Sequence, residues 1–152
     1  LINHASVVAQ KLRAQQSLTH RIYIFAASSS HEHAFYKKSV MHQFDPPTND
    51  TRVMANAVSK SFEQIYQPGI RFYKCGVGAL ELSLQQFQQH HLFDKQTDNP
   101  QLMSCLDAIN HRYGKGMLSV ASSQLNDHWH MNRAFLSPQY TTRWRDIPKI
   151  QC

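Results

Sequence analysis

The residues of this chain best suited to chemistry are basic and aromatic side chains on or beside three predicted strands. They are Arg21, Tyr23, Lys37, Lys38, Arg71, Tyr73 and Lys74. Phosphate contacts need cations with hydroxyl or amide donors, and they do not need base-reading geometry. A sheet covered by helices on one face and carrying Arg, Lys, Ser and Tyr on the other would suit a phosphodiester backbone. The alternative is an ordinary basic surface, because the whole chain has a formal net charge of +6.

The histidines suggest a second kind of site, one that binds a metal ion. The i, i+2 pairs His31/His33 and His128/His130 could each lie on one face of a strand. A zinc site needs four converging ligands, and the three cysteines have no spacing that would supply the others. We therefore expect solvated or packed histidines and no metal ion, and a metallohydrolase is the third functional hypothesis.

Catalytic groups of other classes lack a supporting pattern. The ten acidic residues are dispersed, whereas two-metal phosphoryl transfer needs carboxylates that hold cations about 4 Å apart. Cys75 falls in a strand pattern and Cys105 in a helix pattern, where buried structural thiols are expected. No nucleophile elbow of the GxSxG type occurs. The sequence thus predicts no catalytic residue, no metal and no cofactor in this chain.

Length and composition limit the class of protein and the cellular compartment. A chain of 152 residues that is 41% hydrophobic can bury a core. No run of about 18 apolar residues occurs, so no membrane span is expected. Three widely spaced cysteines favour a reducing cytoplasm over a disulfide framework. The first residue is Leu1 and not Met, which suggests a fragment.

Periodicity predicts the elements that position the basic residues. Helices are predicted over 2–16 and from Asp50 or Thr51 to Pro68, and strands over 21–27, 36–44 and 71–82. Pro46-Pro47 should end the second strand, and Gly76 and Gly78 indicate a bulge or a close backbone approach. The order α-β-β-α-β lacks only a leading strand to form a split βαβ unit.

The second half of the chain has a different character. Polar residues over 85–98 indicate a tether between two modules. Asn99 and Pro100 begin a helix that Gly114 ends, and Met117–Ala121 is predicted as a short strand. Within the tether, Gln89 precedes Leu92 and Phe93, an apolar pair that could anchor in a partner's pocket. The alternative is that this pair packs the tether onto the core.

Two motifs give the chain a family resemblance. The segment 68–77, PGIRFYKCGV, and above all 135–148, FLSPQYTTRWRDIP, resemble the C-terminal half of UmuC-type Y-family translesion DNA polymerases. The second motif is similar to the LSPxYTTRWxDIP signature that closes these proteins. The resemblance covers nearly the whole chain and includes the plasmid- and mobile-element-encoded members of the family.

The resemblance implies an α+β fold in three parts. Residues 1–84 would be the little finger, a split βαβ-type domain of pattern βαββαβ without its first strand. It would have a mixed sheet with two helices on one face. Residues 85–98 would be a linker, and residues 99–152 a small α+β C-terminal module specific to UmuC-type proteins. The palm and fingers, with the carboxylates that bind Mg²⁺, would lie upstream.

The same resemblance assigns roles to residues of each part. The little finger would grip damaged primer-template DNA through Arg21, Tyr23, Ser28, Lys37, Lys38, Arg71, Tyr73 and Lys74. The linker would bind the sliding clamp through Gln89, Leu92 and Phe93, with His90 where the clamp motif usually has Leu. The last part would bind a UmuD′-like protein through Trp129, Tyr140, Arg143 and Trp144.

The leading hypothesis is a non-catalytic, DNA-binding and clamp-tethering portion of an error-prone polymerase in SOS repair and mutagenesis. The second hypothesis is a protein-interaction module with incidental positive charge. It would bind a UmuD-like partner through Trp129, Phe135, Tyr140 and Trp144, since aromatic residues commonly anchor interfaces.

Overall fold

The fold is α+β, as predicted. The computed structural model describes residues 1–31, 35–88, 98–123 and 137–148. Its main elements are α1 (Ile2–Ala14), β1 (Ser17–Ser28), β2 (Lys37–Thr48), α2 (Thr51–Ile65), β3 (Phe72–Leu84) and α3 (Pro100–Tyr113). Short 3₁₀ turns occupy Gln85–Phe87 and Trp144–Asp146. The predicted order α-β-β-α-β is therefore confirmed over the first half of the chain.

The three strands form a sheet in the order β2-β1-β3, in which β1 pairs antiparallel with both neighbours. It follows that β2 and β3 run parallel to each other, joined through α2, with β1 inserted between them. This is the split βαβ arrangement. The predicted mixed sheet is corrected to an antiparallel one over the described strands, because the two parallel strands are separated by β1 and never pair.

Helices α1 and α2 pack on one face of the sheet and enclose the core. Alternate residues of the central strand, Ile22, Ile24 and Ala26, point into this core and are almost fully buried. Small residues Ala5 and Ala9 face them from α1 and let this helix approach the sheet closely. Helix α2 contributes larger side chains, namely Met54, Val58 and Ile65. Burying a side chain of this size stabilises the fold by about 1.5–3 kcal/mol.

Strand β2 continues through the two prolines that were predicted to end it. The register moves from Arg21 opposite Gln43 to Thr19 opposite Thr48, so four residues of β2 lie opposite the single residue His20 of β1, and β2 bulges in this interval. Pro46 and Pro47 lie in the bulge of an edge strand, where no ladder hydrogen bond is required of a proline nitrogen. The Asp45–Pro46 peptide bond is cis.

Helix α2 begins at a buried carboxylate. The Asp50 side chain accepts hydrogen bonds from the Arg52 backbone N–H at 2.8 Å and from Arg52 Nη2 at 2.7 Å. Burial raises the pKa of Asp50, but the hydrogen bonds from Arg52 and from the Asn99 N–H outweigh it, so the pKa lies below its ordinary value. The N-cap predicted at Asp50 is therefore an ionised side chain, which also suits the helix dipole.

Helix α3 is attached to the first half of the molecule by an ion pair. Arg13 donates to Asp107 through Nε at 2.6 Å and Nη2 at 2.8 Å. Its Nη1 donates to the Asn49 carbonyl at 2.7 Å and to Thr51 Oγ1 at 3.0 Å. Charge-assisted bidentate pairs of this kind are stronger than neutral hydrogen bonds. One guanidinium thus joins α1, the start of α2 and α3.

Further contacts surround this ion pair. Thr48 Oγ1 donates to Asp98 Oδ2 at 2.7 Å, and the Asn99 N–H donates to Asp50 Oδ2 at 3.0 Å. Met103 is only 1% exposed. We call this set of contacts, formed by Arg13, Thr48, Asp50, Asp98, Asn99, Met103 and Asp107, the α3 junction. It attaches the start of α3 to α1, to the end of β2 and to the start of α2.

The strand predicted over Met117–Ala121 is wrong, because these residues form bends and irregular backbone that ends in a turn. The Asn110 side chain accepts from the Leu118 N–H at 2.9 Å and donates to its carbonyl at 2.8 Å. The backbone N–H and carbonyl of Leu118 are thus already paired with a side chain. Gly114 and Gly116 have φ values of 114° and 83°, which extended strands do not use. The described residues after Tyr113 contain no strand.

The α3 junction predicts a local effect of Asp107→Ala. Loss of the carboxylate leaves Arg13 with two neutral acceptors, and we expect opening of α3 to become easier by about 1–2 kcal/mol. Amide hydrogen exchange should accelerate in α3 and stay unchanged in β1. Glu63→Ala removes the same charge from an exposed helical position and should leave α3 unaffected. Equal exchange in the two variants would contradict the junction.

Candidate nucleic-acid interface

The face of the sheet opposite α1 and α2, which we call the open face, is formed by the residues that alternate with the core residues of β1. Cross-strand neighbours share a face of a sheet, so the register defines its rows. From one end to the other these rows are Lys37–Ala27–Lys74, Ser39–Phe25–Gly76, Met41–Tyr23–Gly78 and Gln43–Arg21–Leu80.

A pair of lysines forms one end of the open face. Lys37 and Lys74 flank Ala27 on either side, and both are exposed. Neighbouring strands lie about 4.8 Å apart, so the two backbones are separated by roughly 10 Å. Ala27 between them is small, which leaves both amines free to reach an anionic backbone lying across the strands.

Aromatic side chains occupy the middle of the open face. The rings of Tyr23 and Phe25 stack at 5.6 Å between centroids. The Phe25 ring lies over Gly76, where an added Cβ would come within 2.7 Å of the ring. This confirms the close approach predicted at Gly76. At Gly78, beside Tyr23, an added Cβ would meet nothing within 4 Å, so the surface has a shallow recess there.

Arginine and glutamate occupy the other end. Arg21 Nη1 lies 2.9 Å from Glu81 Oε1, and both side chains are partly exposed. Along β1, Arg21 is six residues from Ala27, which at about 3.3 Å per residue places it roughly 20 Å from the lysine pair. The open face therefore carries an exposed lysine pair at one end and, at the other end, an arginine whose charge a glutamate compensates.

The structure brings together half of the eight residues predicted to contact DNA. Four of them lie on the open face, namely Arg21, Tyr23, Lys37 and Lys74. Tyr73, which is 82% exposed, precedes Lys74, and exposed Arg71 precedes β3. These last two border the lysine end of the open face.

Two other residues of that set lie elsewhere. Lys38 pairs with Ala26, whose side chain is in the core, so Lys38 belongs to the helix-facing set although it is exposed. Ser28 is 3% exposed, and its Oγ accepts the Tyr36 N–H at 2.9 Å. Ser28 therefore holds the β1–β2 connection. The resemblance placed Ser28 among the DNA contacts, and its burial at a strand end leaves no local signal in the sequence.

The sequence patterns did not lead to several residues that the structure places on the open face. Phe25, Ser39 and Met41 were not among the predicted contacts, although Phe25 alternates with core residues in the same way as Tyr23. That period-two pattern was the available signal for Phe25. Met41 is an exposed apolar residue on an edge strand, and only the register places it opposite Tyr23.

The remaining predicted sites are partly outside the described residues. Gln89, Leu92, Phe93 and Trp129 fall there, as do His33, His90, His128 and His130. Tyr140 and Arg143 are exposed, and Trp144 is 90% exposed. The Gln139 N–H donates to Asp146 Oδ2 at 2.9 Å and closes the turn that carries them.

The cysteines and the candidate metal ligands can be judged over the described part of the chain. Cys75 and Cys105 are exposed, so the predicted burial of these thiols is wrong. β3 is an edge strand, and α3 buries mainly Met103. Within 1–31, 35–88, 98–123 and 137–148, no three His, Cys, Asp or Glu side chains gather as metal ligands. No helix in these ranges is long and apolar enough to span a membrane.

Comparison with known proteins identifies the family. The impB/mucB/samB family C-terminal domain matches residues 1–92, more than half of the chain. The chain belongs to this family. A domain of unknown function, DUF4113, matches residues 100–150. The resemblance to UmuC-type proteins that the two sequence motifs indicated is thereby confirmed.

Individual members of the family align over nearly the whole chain. SamB of Salmonella typhimurium is 34% identical over 150 residues, covering 95% of this chain and 35% of SamB. UmuC of the same species is 32% identical over 154 residues, covering 98% and 36%. MucB of Escherichia coli is 32% identical over 149 residues, covering 95% and 35%. The chain spans about a third of the length of these curated relatives.

The contact of Phe25 with Gly76 predicts opposite effects for two glycine substitutions. Gly76→Ala must displace the Phe25 ring, and overpacking of this kind costs about 1–3 kcal/mol. Gly78→Ala meets open space and should gain about 0.5 kcal/mol from reduced backbone freedom. Chemical denaturation of both variants measures the difference. Equal midpoints would contradict the close approach at Gly76.

Proposed function

We propose that this chain is the DNA-binding C-terminal portion of an error-prone translesion DNA polymerase, and that its open face holds primer-template DNA. The observation that carries the proposal is the register, which gathers Arg21, Lys37 and Lys74 with Tyr23 on the face opposite α1 and α2. The family supports the polymerase assignment, since UmuC and MucB are among its members. The setting would be SOS repair and mutagenesis of damaged DNA in the cytoplasm.

The mechanism of holding is electrostatic. Lys37 and Lys74 act as point charges against phosphates, and the Tyr23 hydroxyl adds a donor between the lysine pair and Arg21. Each neutralised phosphate releases condensed counterions, so affinity falls as salt rises. Contacts of this kind position a duplex without reading its sequence, which suits a polymerase that must act at any damaged site.

The catalytic step belongs to the rest of the protein in this proposal. Polymerisation requires carboxylates that hold Mg²⁺, and these would lie in the two thirds of the relatives' length that this chain does not span. The chain itself would bind and tether without catalysing. Its parts would be the little finger over 1–84, a linker over 85–98 and the UmuC-specific region over 99–152, whose first helix rests on the little finger at the α3 junction.

The lysine end of the open face predicts a salt-dependent loss of DNA binding in the double variant Lys37→Gln/Lys74→Gln. Affinity for a 20-base-pair duplex should fall at least tenfold near 0.1 M salt. The slope of log K against log salt should decrease by about two units, because about 0.9 unit accompanies each phosphate contact. Fluorescence anisotropy at several salt concentrations measures both quantities.

A matched control is Lys11→Gln/Lys60→Gln. It removes the same charge from exposed positions on α1 and α2, on the opposite side of the sheet. This variant should retain the wild-type slope within half a unit. Equal losses in the two double variants would mean that net charge alone binds DNA, and the proposed interface would be wrong.

The clamp-tethering proposal rests on the sequence of the linker. Gln89, Leu92 and Phe93 match the sliding-clamp motif, and the chain on either side is held by hydrogen bonds. The Gln85 N–H donates to the Gln16 carbonyl at 2.9 Å before the motif, and the α3 junction follows it. The described residues on both sides of the motif are therefore attached to the same folded body.

Leu92→Ala/Phe93→Ala should abolish capture by a bacterial sliding clamp, because the two apolar anchors supply most of the binding energy of such a motif. A pull-down with immobilised clamp measures this loss. Leu84→Ala/Phe87→Ala removes an equivalent pair of exposed side chains just before the motif and should leave capture intact. Unchanged capture by the first variant would refute the assignment.

A second candidate function is binding of a UmuD-like protein by the last described segment. The observation favouring it is Trp144, 90% exposed beside exposed Tyr140 and Arg143. Trp, Tyr and Arg are the residues most enriched at interface hot spots. Trp129 would belong to the same surface. This role is compatible with DNA binding by the open face and becomes the main function if the duplex titrations show no binding.

A further inference from the structure

Glu81 occupies an unusual backbone position on β3. Its φ of 51° lies in the left-handed region, which residues other than glycine, asparagine and aspartate seldom adopt. Leu80 pairs with Arg21 and Leu82 with Thr19 on either side of it. Along β3, alternate side chains such as those of Val77 and Ala79 pack against the core. The left-handed conformation of Glu81 interrupts this alternation. The Glu81 carboxylate instead reaches Arg21, a residue of the open face.

The contact that results is short but exposed. Arg21 Nη1 and Glu81 Oε1 are 2.9 Å apart, and the two side chains are 42% and 54% exposed. Exposed ion pairs are weak, because water screens both charges and both side chains lose freedom. Such a pair can therefore be exchanged for another anion at little cost. A phosphodiester oxygen offers a guanidinium the same geometry as a carboxylate.

The two ends of the open face thus differ in whether their cations are already paired with a carboxylate. At the lysine end, the structure gives Lys37 and Lys74 no carboxylate partner among the described ion pairs. At the other end, roughly 20 Å away, Arg21 already has an anion. Phosphates of one strand recur every 3.4 Å of helix axis, so a duplex along β1 would place phosphates at both ends.

We infer that Glu81 is an affinity-setting residue of the DNA interface: it occupies Arg21 in the free protein and yields to a DNA phosphate on binding. This inference rests on the proposed function of the open face. Duplex DNA would first contact the lysine end, and Arg21 would exchange its carboxylate for a phosphate as the contact extends. Glu81 thereby limits non-specific retention on nucleic acid, since every extended complex must displace it and place it near phosphates.

The test is Glu81→Gln in the full chain, which preserves side-chain length. Affinity for a 20-base-pair duplex at 0.1 M salt should rise three- to tenfold, because Arg21 is no longer compensated. Glu63→Gln gives the same change in net charge from exposed α2 and should raise affinity less than twofold. In an Arg21→Gln background, Glu81→Gln should lose most of its effect, because no cation remains to be released.

The outcomes separate a failure of the Glu81 exchange from a failure of the proposed function. Equal gains from Glu81→Gln and Glu63→Gln, or an undiminished gain in the Arg21→Gln background, would overturn the exchange and leave simple charge repulsion. A wild-type chain that binds no duplex would instead overturn the proposed function. A second measurement needs no variant: the Arg21 Nε–H resonance of the wild-type chain should shift on titration with DNA, and a constant resonance would contradict the exchange.

Discussion

The alternation of side chains along the central strand β1 is the constraint on which the molecule depends. Ile22, Ile24 and Ala26 must enter the core under α1 and α2, which forces Arg21, Tyr23 and Phe25 to the opposite face. Because β1 pairs with both neighbours, its register also selects which residues of β2 and β3 join each face. A slip of one residue would exchange the buried set and the open-face set completely, so the hydrophobic core itself determines which residues form the open face.

The α3 junction adds a second constraint, on how the two matched regions of the chain are related. The impB/mucB/samB domain ends near residue 92, and the domain of unknown function begins at residue 100. Yet Arg13 and Asp50, both in the first region, hold Asp107 and Asn99. The described residues that flank positions 89–97, Gln85 on one side and Asn99 on the other, are therefore both hydrogen-bonded to the first region.

Much of the fold could be predicted from the sequence, because strong local patterns agree with it. The period-two pattern of β1, the Asp50 cap of α2 and the Asn99–Pro100 start of α3 were each sufficient. The errors arose where tertiary context overrides local preference. Pro46 and Pro47 remain in β2 because the strand lies at an edge and bulges. In the segment Met117–Ala121, the Asn110 side chain pairs both backbone groups of Leu118. Neither circumstance is visible in the local residues.

The candidate site was predicted in part for the same reason. Arg21, Tyr23, Lys37 and Lys74 gather as expected, whereas Lys38 and Ser28 depart because the pairing of Ala26 and the burial at the end of β1 decide their direction. Glu81 could not be foreseen, since its role depends on a left-handed backbone conformation within a strand. Composition identified a basic surface, and the register determined which cations share it.

The most direct measurement is an NMR titration of the isotopically labelled chain with a short duplex, followed residue by residue. If the open face holds DNA, the largest changes in amide and side-chain chemical shift will occur on that face, and the resonances of α1 and α2 will stay unchanged. The residues expected to shift most are Tyr23, Lys37, Ser39, Lys74 and Gly78. Shifts concentrated around Lys11 and Lys60, with those strand residues unchanged, would contradict the account.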